Sequence, residues 1–367
     1  MGNTPPIPMR RPTRSFWLSQ PGRLTGLSPM MARAVLVLVL LLCAIMLMTP
    51  APVDPMQDRL ALVSATIVDH LRHGQSFYPA AFDALRENAR PLRPALLAVP
   101  LPALPVLVAK VPPILAQAVL IALTIGVLIG WARRFRPVLE RSGPRTLALT
   151  LLISGLYPLV TPAMVTVPEV WAGVVIALSL VQRRPDAEST AVALGFIAMI
   201  LSPVAMVHAL VMLILAVRAR ARREMLGWIV AIGLFLLALA AHAQALNTMT
   251  SAIDPAIALP GAALSPGALV ATIGSAQILG RLPFWLVVPL TLIAALGWMH
   301  WRQPVARRAS PTLAAYALLL MLTDAGGLLP LVSPLFFLGV VFAPDAIHDL
   351  LVAARDRRRI TVTRVVR

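Results

Sequence analysis

The side chains best suited to acid–base chemistry crowd into one polar stretch, PAPVDPMQDRLALVSATIVDHLRHGQSFYPAAFDALRENARPLRP, residues 50–94. It carries Asp54, Asp58, Asp69, His70, His73, Tyr78, Asp83 and Glu87, interleaved with Arg59, Arg72, Arg86, Arg90 and Arg93. A carboxylate held beside a bound hydroxyl can take its proton. Guanidinium groups can hold a phosphate through paired hydrogen bonds. Almost everything on either side is apolar, so this stretch is where reaction chemistry has room to occur.

Within it Leu60, Val63, Ile67 and Leu71 recur at helical spacing. The pattern predicts an amphipathic helix lying on a membrane surface. Asp58 stands at its start, where a carboxylate is favoured by the helix dipole. Two readings of Asp58 stay open: a helix-end charge, or a general base held next to the bilayer.

The elements that must position these groups follow from composition. Hydrophobic residues make up 59% and charged residues 13% of the 367 positions, and mean hydropathy is +0.83. Soluble chains carry about 25% charged residues, so the expected solvent is the bilayer. A net charge of +17 raises the question of nucleic acid. Its distribution argues against that partner. Lys110 is the single lysine, and 25 of the 31 arginines fall in six clusters between apolar runs or at the termini. That is the positive-inside pattern, with attraction to anionic headgroups as its second consequence. Cys43 is the single cysteine, which excludes an intramolecular disulfide and a cysteine-based zinc site.

Placing every arginine cluster on the cytoplasmic side gives an all-α, polytopic chain with ten membrane segments and both termini inside. The segments are 32–49, 114–131, 146–162, 171–181, two short helices within 190–217 turning near Pro203, 225–245, 283–301, 311–323 and 331–342. The first is expected to be a retained anchor rather than a cleaved leader. Residues 95–109 contain Pro100, Pro102 and Pro105 and predict a broken or interfacial segment. The organisation is then a basic N-terminal segment (1–31), a membrane domain (32–349) with outer loops at 50–112 and 247–281, and a basic tail (350–367). Within the second loop, PGALVATIGSAQILG predicts an amphipathic surface helix.

Several short motifs resemble one family. An Asp shortly after the first span, an outer amphipathic helix ending at Gly74, the pair Tyr78–Pro79 and then RPLRP resemble the first outer loop of GT-C glycosyltransferases. VPEVWAGVVIALSL, HAQAL around His242 and FAPDAIHDL near the C-terminus extend the resemblance. It implies a polytopic enzyme of the bacterial inner membrane that takes a sugar from a polyprenyl-phosphate carrier and passes it to an envelope acceptor at the outer face. The catalytic base of the family falls on Asp58, with Asp54 as a less well-placed substitute, and Glu169 becomes an acidic residue facing the catalytic cavity. Glu169 as a solvated loop carboxylate is the plainer alternative. Tyr78 is the substrate-binding group the resembling loop implies; for the lipid phosphate the outward-facing candidates are Arg90, Arg93, Lys110 and Arg281, Arg93 foremost because it leads directly into the broken apolar segment.

The sequence departs from the family where a cation is expected, at ILSPVAM (200–206), and in the last outer turn, DAGGLLPLVSP. A non-catalytic scaffold or partner subunit of envelope polysaccharide assembly therefore stands as an alternative, as does a transporter of lipid-linked sugar. A divalent metal is compatible with such chemistry, although no ligand set is visible. Membrane lipids and the lipid-linked sugar are the expected partners. His208 and His242 read as packing histidines, and Asp324 as either a polar cap or a cavity residue.

Overall fold

A computed structural model describes residues 16–49, 56–88, 90, 94–183, 187–251, 255, 264–323 and 326–355. Among the described residues the chain is helical, with one isolated β-bridge between Leu18 and Leu139. The helices are α1 (Pro29–Met48), α2 (Met56–Arg72), α3 (Phe77–Glu87), α4 (Ala95–Ala98), α5 (Ala103–Lys110), α6 (Pro113–Phe135), α7 (Ser142–Leu156), α8 (Pro168–Gln182), α9 (Glu188–Leu201), α10 (Met206–Arg218), α11 (Arg222–Asn247), α12 (Pro266–Ser275), α13 (Phe284–His300), α14 (Pro304–Thr323), α15 (Leu329–Val332) and α16 (Ala343–Ala354).

Among the described residues four helical runs are long and apolar enough to cross a bilayer: α1, α6, α11 and the nearly continuous run Leu329–Ala354. The first three keep large apolar side chains on the outside, Leu40 on α1, Ile114 on α6 and Leu237 on α11 among them. Water would penalise such surfaces heavily, whereas lipid accepts them, so the protein is membrane-associated.

Helix α8 occupies the middle of the bundle. It is apolar on every side and buried from Val170 to Val181, as expected of a helix with no polar face. Gly173 allows the carbonyl of Pro330 to pack where a Cβ would otherwise sit. Around α8 the directions of the helices are set by two polar ends. At one end the buried Glu224 of α11 accepts from Arg183 (2.6 Å) and from Arg308 of α14 (3.1 Å), while Arg183 also reaches Glu188 of α9 (3.0 Å). At the other, Ser202 meets Glu169 and Tyr78 meets His242.

The long segment 190–217 divides as its sequence suggests. α9 runs from the arginine end to Ser202, the chain turns through Pro203–Ala205, and α10 returns to Arg218. The proline-rich piece before Lys110 likewise breaks, into α4 and α5.

Three readings need correction. First, residues 331–342 are not one regular α-helix. They pass through α15 and then a 3-10 stretch, Phe336–Phe342, because Pro330 and Pro334 interrupt helical hydrogen bonding. This backbone is enclosed by protein, the one setting in which irregular structure is tolerated at such depth. Second, α12 is no surface helix. Gly267, Ala268, Val270, Ala271, Ile273 and Gly274 are buried, and Gly267 N–H donates to Thr49 Oγ1 at 3.2 Å. Its small residues let it pack on several sides at once. Third, α2 does not turn its apolar stripe to lipid. Val63 and Ile67 join Phe77, Phe82 and Leu85 of α3, Val99 and Leu246 of α11 in a separate core, and Gly74 closes α2 at φ +92°. Residues 16–28 of the basic N-terminal segment are strapped to the body. The backbone N–H groups of Phe16, Trp17 and Leu18 converge on the buried carboxylate of Asp345, and Ser19 N–H reaches Val138 O at 2.9 Å.

Candidate functional site

The helices α2, α3 and α4 form a roof over the end of the bundle opposite the arginine cluster. α2 stays in place because its charged face points outward and its apolar face seals the small core beneath it. Arg72 of α2 donates to Val108 O of α5 at 3.2 Å, tying roof to body. Tyr78 ties it a second time: its hydroxyl lies 3.3 Å from His242 Nδ1 on α11, with the two rings 5.7 Å apart. Burial pushes the Tyr78 hydroxyl above its ordinary value, so it stays protonated beside the imidazole.

Between roof and bundle lies a cavity of about 260 Å3. Leu60, Val63, Ser64 and Ile67 come from α2, and Leu85 from α3. Arg90 and the α4 region close one side; Pro168, Glu169, Pro203 and Val204 form the floor. Glu169 sits in the first turn of α8, a favourable place for a carboxylate. Ser202 Oγ donates to Glu169 Oε1 at 3.3 Å. The wall is otherwise apolar, so a charge on a bound molecule would be felt strongly by Glu169 and Arg90.

Of the residues singled out in the sequence, Glu169 and Arg90 line this one cavity although 79 positions separate them. Asp58 lies in the first turn of α2, one turn or less from the cavity residue Leu60; its side chain is outside the described residues. Asp54, Arg93 and Asp324 also fall outside them. Tyr78 supports the roof and does not line the cavity. Arg281 is exposed in the turn Ile278–Arg281, which packs with α12 rather than with the roof. Among the described residues no group of three or more His, Cys, Asp or Glu side chains could hold a metal ion.

Ser64 and Ser202 were missed by sequence reasoning. The break at ILSPVAM drew notice for its missing cation, yet the same break delivers a hydroxyl to Glu169. A serine beside a proline carries no signal of its own, because its partner lies 33 positions away. His208 packs inside the bundle, edge-on to Trp228, with Nε2 3.2 Å from Ser179 Oγ. Ser179 spends its proton on Ala191 O, so the imidazole Nε2–H is the donor of that pair.

No family model, no curated protein and no solved structure matches the chain.

Proposed function

We infer that this protein is a membrane-embedded glycosyltransferase that moves a sugar from a polyprenyl-phosphate carrier to an envelope acceptor at the outer face of the bacterial inner membrane. On this reading the arginine end and both termini face the cytoplasm, as the positive-inside distribution implies. The observation that carries this reading is that Glu169 and Arg90 line one cavity beneath the roof. Its volume of about 260 Å3 sits just below the ~300–1,000 Å3 usual for small-molecule sites. A single sugar ring is the part of the substrate it suits, with the lipid left in the bilayer.

The chemistry is one displacement. A carboxylate, Asp58 or Glu169, takes the proton of an acceptor hydroxyl. The freed oxygen pair attacks the anomeric carbon, and the bond from that carbon to the phosphate oxygen breaks. Polyprenyl phosphate departs with the electron pair, its charge held by Arg90, and the anomeric configuration inverts. The cation thus comes from the roof rather than from the break at Ser202–Pro203.

A non-catalytic scaffold is the second reading, favoured by the mostly apolar wall of the cavity. The two separate in one experiment. Envelope glycolipids and glycans are analysed by mass spectrometry in cells lacking the protein and in cells complemented with wild type or Glu169→Gln. A sugar restored by wild type but not by an equally abundant Glu169→Gln protein is the expected result. Full restoration by both would remove the transferase reading and leave the scaffold.

A further inference from the structure

A second, larger cavity lies at the arginine end of the bundle, and nothing in the transferase reading uses it. α9 and α11 start side by side there, with Glu188 and Glu224 both bonded to Arg183. They then run parallel, the Trp228 ring lying on Gly195. On their outer side the two helices leave an open groove of about 770 Å3. One wall is Val192, Ala193 and Phe196; the other is Leu226, Val230 and Leu234.

The second wall is a ladder at four-residue spacing whose members are 57%, 58% and 52% exposed. Two such steps span about 12 Å along a helix, most of the roughly 15 Å depth of one leaflet's hydrocarbon. The trough therefore has the length and polarity of a single acyl chain. Its mouth is charged. Arg223 lines it and is exposed, and Arg218, Arg220 and Arg222 lie exposed on the adjoining turn. The two carboxylates at the mouth do not cancel them: Glu224 is held by Arg183 and Arg308, and Glu188 by Arg183. An apolar trough opening on surplus arginines fits an amphiphile with a negative head.

We propose that the α9–α11 groove is a binding site for an anionic diacyl phospholipid of the leaflet facing the arginine end. One acyl chain lies along Val192, Phe196, Val230 and Leu234, and the headgroup phosphate lies on Arg223 with Arg222 beside it. The proposal is independent of the transferase reading.

The test uses the purified full-length protein released from micelles in native mass spectrometry, titrated with phosphatidylglycerol or with phosphatidylcholine of the same chains. Wild type should retain one phosphatidylglycerol in preference to phosphatidylcholine. Removing both mouth charges in Arg222→Gln/Arg223→Gln should lower that preference by about twenty-five-fold, roughly five-fold per arginine. Val230→Trp, which fills the trough, should lower retention of both lipids, whereas Leu236→Trp, exposed on another face of α11, should leave it unchanged and report that a tryptophan on this helix is tolerated. An unaltered lipid preference in the double arginine variant would overturn the proposal. So would a Val230→Trp protein that keeps its lipid but loses a dimer, since the groove would then belong to a second copy of the chain.

Discussion

Ser202 Oγ donates to Glu169 Oε1 across 3.3 Å, joining the first turn of α8 to the break between α9 and α10 on the floor of the roof cavity. The hydroxyl fixes the direction of the carboxylate and leaves its second oxygen for other partners. Glu169→Gln keeps the shape and removes the base, so sugar transfer should fall by about a hundredfold or more. Ser202→Ala should cost less, about tenfold, because the carboxylate remains but loses its orienting donor. Transfer of labelled sugar from a synthetic polyprenyl-phosphate donor measures both. No loss in Glu169→Gln would show that the carboxylate is not the acting group, whereas equal loss in the two variants would show that carboxylate and hydroxyl act as one unit.

Arg90 and Arg281 were equal candidates as sequence, and they part company in the fold. Arg90 lines the cavity, while Arg281 is exposed beside α12. Arg90→Gln should raise the KM for the lipid-linked donor about tenfold or more, the cost of losing a charge-assisted contact to phosphate. Arg281→Gln should leave KM within twofold. Steady-state kinetics in which donor concentration is varied separates the two.

Glu224 is a buried carboxylate held between two arginines at 2.6 and 3.1 Å. Glu224→Ala leaves both guanidinium groups without their shared anion, and removing one partner of a buried ion pair costs about 3–5 kcal/mol. Thermal unfolding in detergent should fall by many degrees. The triple replacement of Glu224, Arg183 and Arg308 by Leu, Met and Met should recover much of that loss, because a well-packed apolar cluster matches a buried ion pair.

Asp345 accepts from three successive backbone amides at residues 16–18, and its loss would orphan them. At about 1–3 kcal/mol per buried donor left unsatisfied, Asp345→Ala should release the strap. Limited tryptic digestion should then cut at Arg23 far sooner than in wild type. Asp345→Asn retains one acceptor oxygen and should fall between the two. Unchanged protection of Arg23 in Asp345→Ala would mean that the pairing with Val138 and His300 suffices to hold the strap.

Much of the helical inventory was legible in the sequence. The apolar runs behind α1, α6, α8, α11 and α13 stand out because a bilayer demands long uninterrupted apolar stretches and full backbone hydrogen bonding. The arginine clusters foretold which helix ends gather together, and Glu224, Arg183 and Arg308 do share one end. Proline foretold the breaks at Pro203 and within residues 95–109. These are local properties, each written in one stretch of chain.

The tertiary structure alone decided what each apolar face meets. Hydropathy does not distinguish a face turned to lipid from one turned to protein, so α12 and the stripe of α2 read as surface and proved to be interior. Nor can a carboxylate's neighbours be read along the chain. Asp345 anchors amides more than 300 positions away, Glu169 meets a serine from another helix, and Arg90 reaches the same cavity from the roof. Helices arise from backbone bonds between near neighbours, and their existence is therefore inscribed locally. A site arises where separate helices bring side chains together, and that depends on how all of their surfaces pack at once.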